Sequence, residues 1–266
     1  MKPKAHAEDL EGRFAEVLAD PNNRFIPRVP EAGTVVDGCI IMHNGIRVEP
    51  NYYGELANLF ILNRGVHEPQ EERVFQEVLK CVPSGAVMIE LGAYWAFYSM
   101  WFNKCVPQAR NYMIEPNSSN LRCGQNNFAR NGMHGRFIQG HVGPNGIDFI
   151  GLLQSEQISF VDVLHLDIQG WELHFLSSIR QLFEQRSIGY CFVSTHSQKL
   201  HTLCANFTKN VGYECIASAD FDHQSFCYDG VLVVKSPTIE HPKPIELEHR
   251  TCPDDSCVPN LYKPTQ

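Results

Sequence analysis

The sequence predicts an α/β protein: a Rossmann-like, mostly parallel seven-stranded sheet with an antiparallel last strand, preceded by an N-terminal cap. Three observations predict it. From residue 85 onward, short apolar runs alternate with helix-like stretches, the pattern of a parallel sheet covered on both faces. The apolar runs end in polar residues at five successive places, where open α/β sheets bind ligands. The stretch "IELGAYWAFYS" at 89–99 joins a buried strand to a helix through an acid and a glycine turn, the shape of a nucleotide-binding corner.

The elements follow in order. Residues 1–83 read as the cap, with a helix over roughly Ala7–Leu18 and then a Pro/Asn-rich passage. "TVVDGCIIMHNGIRVEP" gives two strand-like runs around Asn44-Gly45, a dipeptide suited to a tight hairpin turn. "YYGELANLFILNRG" is a helix candidate with Gly65 at its end. "EPQEERVFQEVLKCV" has Pro69 near the helix start, acids in the first turn and Lys80 at the end, matching the helix dipole.

The main domain spans 84–236. Its strands are expected at 86–91, 110–114, 136–142, 161–166, 188–194, 212–217 and 230–235, with helices near 96–105, 117–131, 170–185 and 198–210. The last two strands are joined by "SADFDHQSFCYDG" without a helix and so can pair antiparallel. Residues 237–266, polar and Pro-rich, read as a surface extension.

Composition narrows the function. The net charge is −8 and the arginines are scattered, which argues against nucleic acid as a partner. No apolar run reaches the about 18 residues a membrane span needs. "MKPKAHAEDLEGRF" lacks the apolar centre of a secretory signal, so a cytoplasmic protein with reduced thiols is expected. Of the ten cysteines only Cys252 and Cys257, near His249, are close together, and no second pair completes a zinc site.

The strand ends carry the chemistry. The first ends at Glu90, with Gly92 in the turn, and the second at Glu115, where a carboxylate is suited to both hydroxyls of a ribose. The third puts Gln139 to Val142, including Gly140 and His141, beside the expected adenine. The fourth ends at Asp167, and the fifth at Thr195 and His196. After Gly92 come Ala93, Tyr94, Trp95 and Ala96 rather than the further glycines that a pyrophosphate requires, which argues against NAD.

"VMIELGAYWAFYS", "MIEPN" and "FVDVLHLDIQGWELHFL" together resemble the FkbM family of S-adenosylmethionine-dependent O-methyltransferases over roughly residues 65–235. Glu115-Pro116 and the segment from Asp167 to Glu172 are the most specific parts. The resemblance implies a class I methyltransferase fold and S-adenosylmethionine as cofactor. Its cofactor residues would be Glu90, Gly92, Ala93, Tyr94, Glu115, Pro116, Gly140, His141 and Asp167. It implies O-methylation of a hydroxyl on a small molecule or sugar-containing metabolite. The departures are Tyr94 and Ala96 for the usual Asn and second Gly, Trp95 for an aliphatic residue, Gln169 for a common Glu, and His165 for a common Lys. An aromatic such as Tyr94 or Trp95 facing a sulfonium would gain about 0.5–2 kcal/mol.

Methyl transfer to oxygen needs an aligned hydroxyl and a base. Asp167, Glu172, Thr195 and His196 are the candidates, with His196 or Asp167 as base. Asp167, Glu172 and His196 could instead ligate a divalent cation such as Mg²⁺. Asp220, Asp222 and His223 are placed near the same pocket. Plainer readings stand beside these. Each acid taken alone suits a helix dipole equally well. His165 reads as a packed core histidine, and His43 and His67 as surface residues of the cap. A catalytically silent protein of the same fold is the alternative function. The oligomeric state is left open, a homodimer included.

Overall fold

The computed structural model describes residues 10–143 and 145–250. Three short strands, β1 (Val35–Val36), β2 (Cys39–Ile41) and β3 (Arg47–Val48), form an antiparallel sheet near the N-terminus. Asn44-Gly45 sits at the β2–β3 turn, with Gly45 at φ 79°. The helices before the main sheet are α1 (Leu10–Ala19), α2 (Leu56–Leu62) and α3 (Pro69–Leu79), with a 3₁₀ turn at Pro21–Phe25.

The main sheet has seven strands: β4 (Val87–Leu91), β5 (Arg110–Glu115), β6 (Arg136–Gln139), β7 (Val161–Leu166), β8 (Ile188–Thr195), β9 (Glu214–Ala219) and β10 (Gly230–Lys235). Their order is β6-β5-β4-β7-β8-β10-β9, with β10 antiparallel to both neighbours. This is the sheet the alternation predicts. Its helices are α4 (Phe97–Cys105), α5 (Ser118–Arg130), α6 (Phe149–Ser155), α7 (Glu172–Ser178), α8 (Arg180–Glu184) and α9 (Gln198–Asn210). No described helix is long and apolar enough to cross a membrane.

Side chains alternate across the sheet, and the two faces build two cores. Met88, Val163, Phe192 and Val233 face α3, α4, α5 and the small N-terminal sheet. Ile89, Leu164, Cys191 and Leu232 face α6 to α9. The residues before 84 thus share one apolar cluster with the sheet. The segment after β10 is also packed: Ile245 N–H bonds the Ile216 carbonyl at 2.7 Å, and Leu247 is buried.

Several boundaries differ from expectation. The strand expected at 136–142 closes at Gln139, because Gly140 to Val142 turn away beside the β5 end. The helix expected at 170–185 is two helices, since buried Ile179 leaves helical geometry at φ −108° and ψ 19°. Helix α6 was not expected; it is short, and Asp148 caps it by accepting from the Gly151 N–H. The eight described cysteines are free, five of them buried. Cys252 and Cys257 lie outside the described residues.

Candidate functional site

The loop after β4 is fixed by its neighbours. The N–H groups of Gly92 and Ala93 both donate to the Ile114 carbonyl, at 2.9 and 3.0 Å, and Asp167 N–H donates to Leu91 O at 2.9 Å. Gly92 has φ 76°, and a Cβ there would lie 1.7 Å from the Asp167 carbonyl oxygen, so only glycine fits. Tyr94 and Ala96 hold φ of 44° and 62°. The left-handed conformation that glycine favours is therefore kept, at roughly 1–2 kcal/mol for each residue.

Glu115, at the end of β5, braces this loop. Its Oε2 accepts from Tyr94 N–H at 3.0 Å, and its Oε1 from Asn117 N–H and Asn120 Nδ2 at 2.9 and 3.1 Å. Gly92, Tyr94, Glu115, Pro116, Gly140, His141 and Asp167 line one cavity of about 800 Å³. Seven expected cofactor residues thus meet in one place. Ile114, Val142 and Ile168 give it an apolar wall, and Trp171, which the sequence did not single out, borders it.

Glu90 and Ala93 belong instead to an adjoining cavity of about 290 Å³, which shares Gly92, Tyr94 and Asp167 with the first. Strand parity explains its lining. Glu90, His165 and Ser194 continue the rows of Met88, Val163 and Phe192 on the α3 face, and at the strand ends these rows turn polar. Opposite them the first turn of α3 presents acids. Glu71 Oε1 lies 2.6 Å from His165 Nε2, and Glu71 Oε2 accepts from Ser194 Oγ at 3.2 Å. Glu68 accepts from the Tyr98 hydroxyl at 2.7 Å. Aromatic side chains of Tyr94, Trp95, Phe97 and Tyr228 complete the wall, and no described lining residue of either cavity is Lys or Arg.

His43 and His67 correct the surface expectation. Their side chains are only 2% and 10% exposed, and both face the fully buried Glu72. Glu72 Oε2 lies 3.1 Å from His43 Nε2, and its Oε1 lies 2.7 Å from His67 Nδ1. The same Oε1 accepts the N–H groups of His67 and Glu68. Burial opposes the charged form of Glu72, but the two imidazoles outweigh it and hold the carboxyl below its usual range. His165 is the packed core histidine expected, stacked on Tyr98.

Titrating groups crowd this corner. Burial, against the pull of His165, pushes the Glu90 carboxyl up to about 7. Burial likewise raises Glu68 to about 7, against the pull of His67. Burial disfavours a charged His165, but Glu71, with Glu90 and Asp167 nearby, lifts it to about 9.

Asp167 also meets His196. The His196 Nε2 lies 3.2 Å from Asp167 Oδ1 and 3.3 Å from Asp229 Oδ1, and Nδ1 lies 2.9 Å from Glu172 Oε1. Glu172 is fully buried, with Oε1 accepting the N–H groups of Ile168 and Gly170, so it stands behind His196. Despite burial, Asp167, Glu172 and Asp229 raise His196 to about 10. Burial and the Asp167 charge raise Asp229 to about 8. Thr195 points elsewhere, to His201 Nδ1 at 2.9 Å. Asp220 braces its own loop by accepting from His223 and Gln224 N–H, and neither cavity's lining includes Asp220, Asp222 or His223.

The sequence missed Glu68, Glu71 and Asp229. The first two were legible only as helix-start acids, and Asp229 sits in a stretch with no period.

No family profile and no curated protein matches the sequence. Solved structures do. A Clostridium thermocellum protein described as an rRNA methylase superposes with a TM-score of 0.50 at 9% identity, covering 65% of this chain and 97% of that one. M. capricolum TrmK, solved with S-adenosyl-homocysteine, gives 0.46 at 13% identity over 64% of this chain and 71% of that chain. A SAM-dependent methyltransferase from Aquifex aeolicus gives 0.44 at 12% identity over 62% and 88%. The likeness is one of fold: a Rossmann-like class I methyltransferase sheet with an antiparallel last strand.

Proposed function

We propose that the protein is an S-adenosylmethionine-dependent methyltransferase acting on a hydroxyl of a small molecule, in the manner of the FkbM-type enzymes its motifs resemble. The observation that carries the reading is the convergence of Gly92, Tyr94, Glu115, Pro116, Gly140, His141 and Asp167 on one cavity, next to a second, smaller one. Its volume of about 800 Å³ is of the size that holds a cofactor. Glu115 would take the ribose hydroxyls, Gly140 and His141 would border the adenine, and the Gly92 loop would receive the methionine end. When bound, the cofactor supplies a methyl group activated by a sulfonium.

The residues of this chain do the rest. The smaller cavity, of about 290 Å³, would receive one small acceptor. Its aromatic walls exclude water and position a ring or a sugar face. Asp167, bordering both cavities, orients the acceptor hydroxyl and takes its proton, with His196 at 3.2 Å stabilising the carboxylate. A lining with carboxylates and without Lys or Arg disfavours a phosphate-bearing acceptor, and with it RNA.

The test is turnover of S-adenosylmethionine with a pool of hydroxylated small molecules and, separately, with total tRNA and rRNA. The expected result is demethylated cofactor formed with the small-molecule pool only, falling at least a hundredfold in Asp167→Asn. Methylation of RNA, or equal rates in the variant, would overturn the reading.

A further inference from the structure

We infer that Asp167, His196 and Asp229 form a binding site for one divalent cation. One ligand atom from each of the three residues lies within 4.8 Å of the other two, and the residues come from three separate elements: the ends of β7 and β8 and the approach to β10. The sequence pointed to Glu172 as the second acid. The structure puts Glu172 on the far side of the imidazole and brings in Asp229.

Two of the three separations fit ligands around an ion, and the third lies within 4.8 Å. Two donors on adjacent corners of an octahedron with bonds of about 2.1–2.4 Å lie about 3.0–3.4 Å apart, and a tetrahedral ion with bonds of about 2.0 Å gives about 3.3 Å. His196 Nε2 stands 3.2 and 3.3 Å from the two aspartate oxygens. Both imidazole nitrogens of His196 are buried within this cluster.

The outer shell is also built. Metal-bound histidines commonly hold their second nitrogen against a carboxylate, which fixes the ring and its tautomer. Glu172 does this from a fully buried position, with its Oε1 pinned by two backbone N–H groups. Its Oε2 has no hydrogen-bond partner. Three carboxylates thus surround one imidazole, and among the described residues none of the three is paired with Lys or Arg. A bound cation would balance that charge at the point where Asp167 borders both cavities. The inference does not depend on methyl transfer.

The 266-residue chain, freed of metal, is titrated with Mn²⁺, Mg²⁺ and Zn²⁺ separately by calorimetry, and with Mn²⁺ by electron paramagnetic resonance. One ion per chain is expected for at least one of the three, with affinity falling at least tenfold in Asp229→Asn and in Asp167→Asn but not in Asp222→Asn. An arm without substitutions follows the histidine ring protons by NMR. Substoichiometric Mn²⁺ should broaden His196 before the exposed His241. Absence of saturable binding, unchanged affinity in both cluster variants, or broadening of His241 first would overturn the inference. Binding of S-adenosylhomocysteine, measured in parallel without metal, separates this outcome from failure of the methyltransferase reading.

Discussion

At residue scale the account rests on Gly92 and Glu115. Gly92 couples a left-handed φ to the absence of any room beside the Asp167 carbonyl. Gly92→Ala is therefore expected to lose about 3 kcal/mol of stability, from left-handed strain and overpacking together, as measured by urea unfolding. Wild-type stability in that variant would contradict the loop geometry. Tyr94 and Ala96 show how the altered turn is built: both occupy positive φ without being glycine, and Tyr94 N–H is tied to Glu115. Tyr94 presents its side chain to both cavities, and Ala96 is fully buried.

At element scale the first turn of α3 matters most. With the residue before it, it places Glu68, Glu71 and Glu72 against the adjacent His67 and against His43 and His165 from two other parts of the chain. Removing the charge of Glu72 leaves two buried imidazoles without their carboxylate, a change worth about 3–5 kcal/mol for a buried pair. Burial works against a charged His67, but Glu68 and Glu72 raise its pKa overall. That contribution is complete below the unfolded histidine value of about 6.5 and fades as pH rises. Glu72→Gln should therefore destabilise the protein more at pH 5.5 than at pH 8.5 in denaturant titrations. An equal effect at both would show that the pair is not ionic.

The same element marks the limit of the sequence reading. The strands were legible because parallel strands buried on both faces read as unbroken apolar runs, and Glu115 and Asp167 were legible because they stand where such runs end. His43, His67 and Asp229 were not, because their partners are set by packing. The His165–Glu71 contact joins residues 94 apart, and no local pattern announces it. Cap histidines then look like surface residues until α3 is laid over the sheet.

At the scale of the whole molecule, one corner of the sheet gathers groups that hold protons tightly. Glu68 and Glu90 are raised to about 7, Asp229 to about 8, His165 to about 9 and His196 to about 10. For each, the folded state binds its proton more firmly than the unfolded chain, so stability falls as pH rises. The carboxyl contributions begin to fade above about pH 4 and the histidine contributions above about pH 6.5. The urea midpoint of the ligand-free protein should drop steadily from pH 5.5 to pH 9, and less so in Glu90→Gln. A midpoint rising with pH would contradict the assignment. Below about pH 4, the depressed Glu72 works the other way.

The central claim is that the cavity beside Glu115 holds S-adenosylmethionine, and calorimetry with S-adenosylhomocysteine tests it most directly. The account predicts one molecule bound per chain, with affinity about 10–100-fold weaker in Glu115→Gln, the loss of hydrogen bonds to a charged acceptor. No binding to the wild-type chain, or equal binding to both, would contradict it.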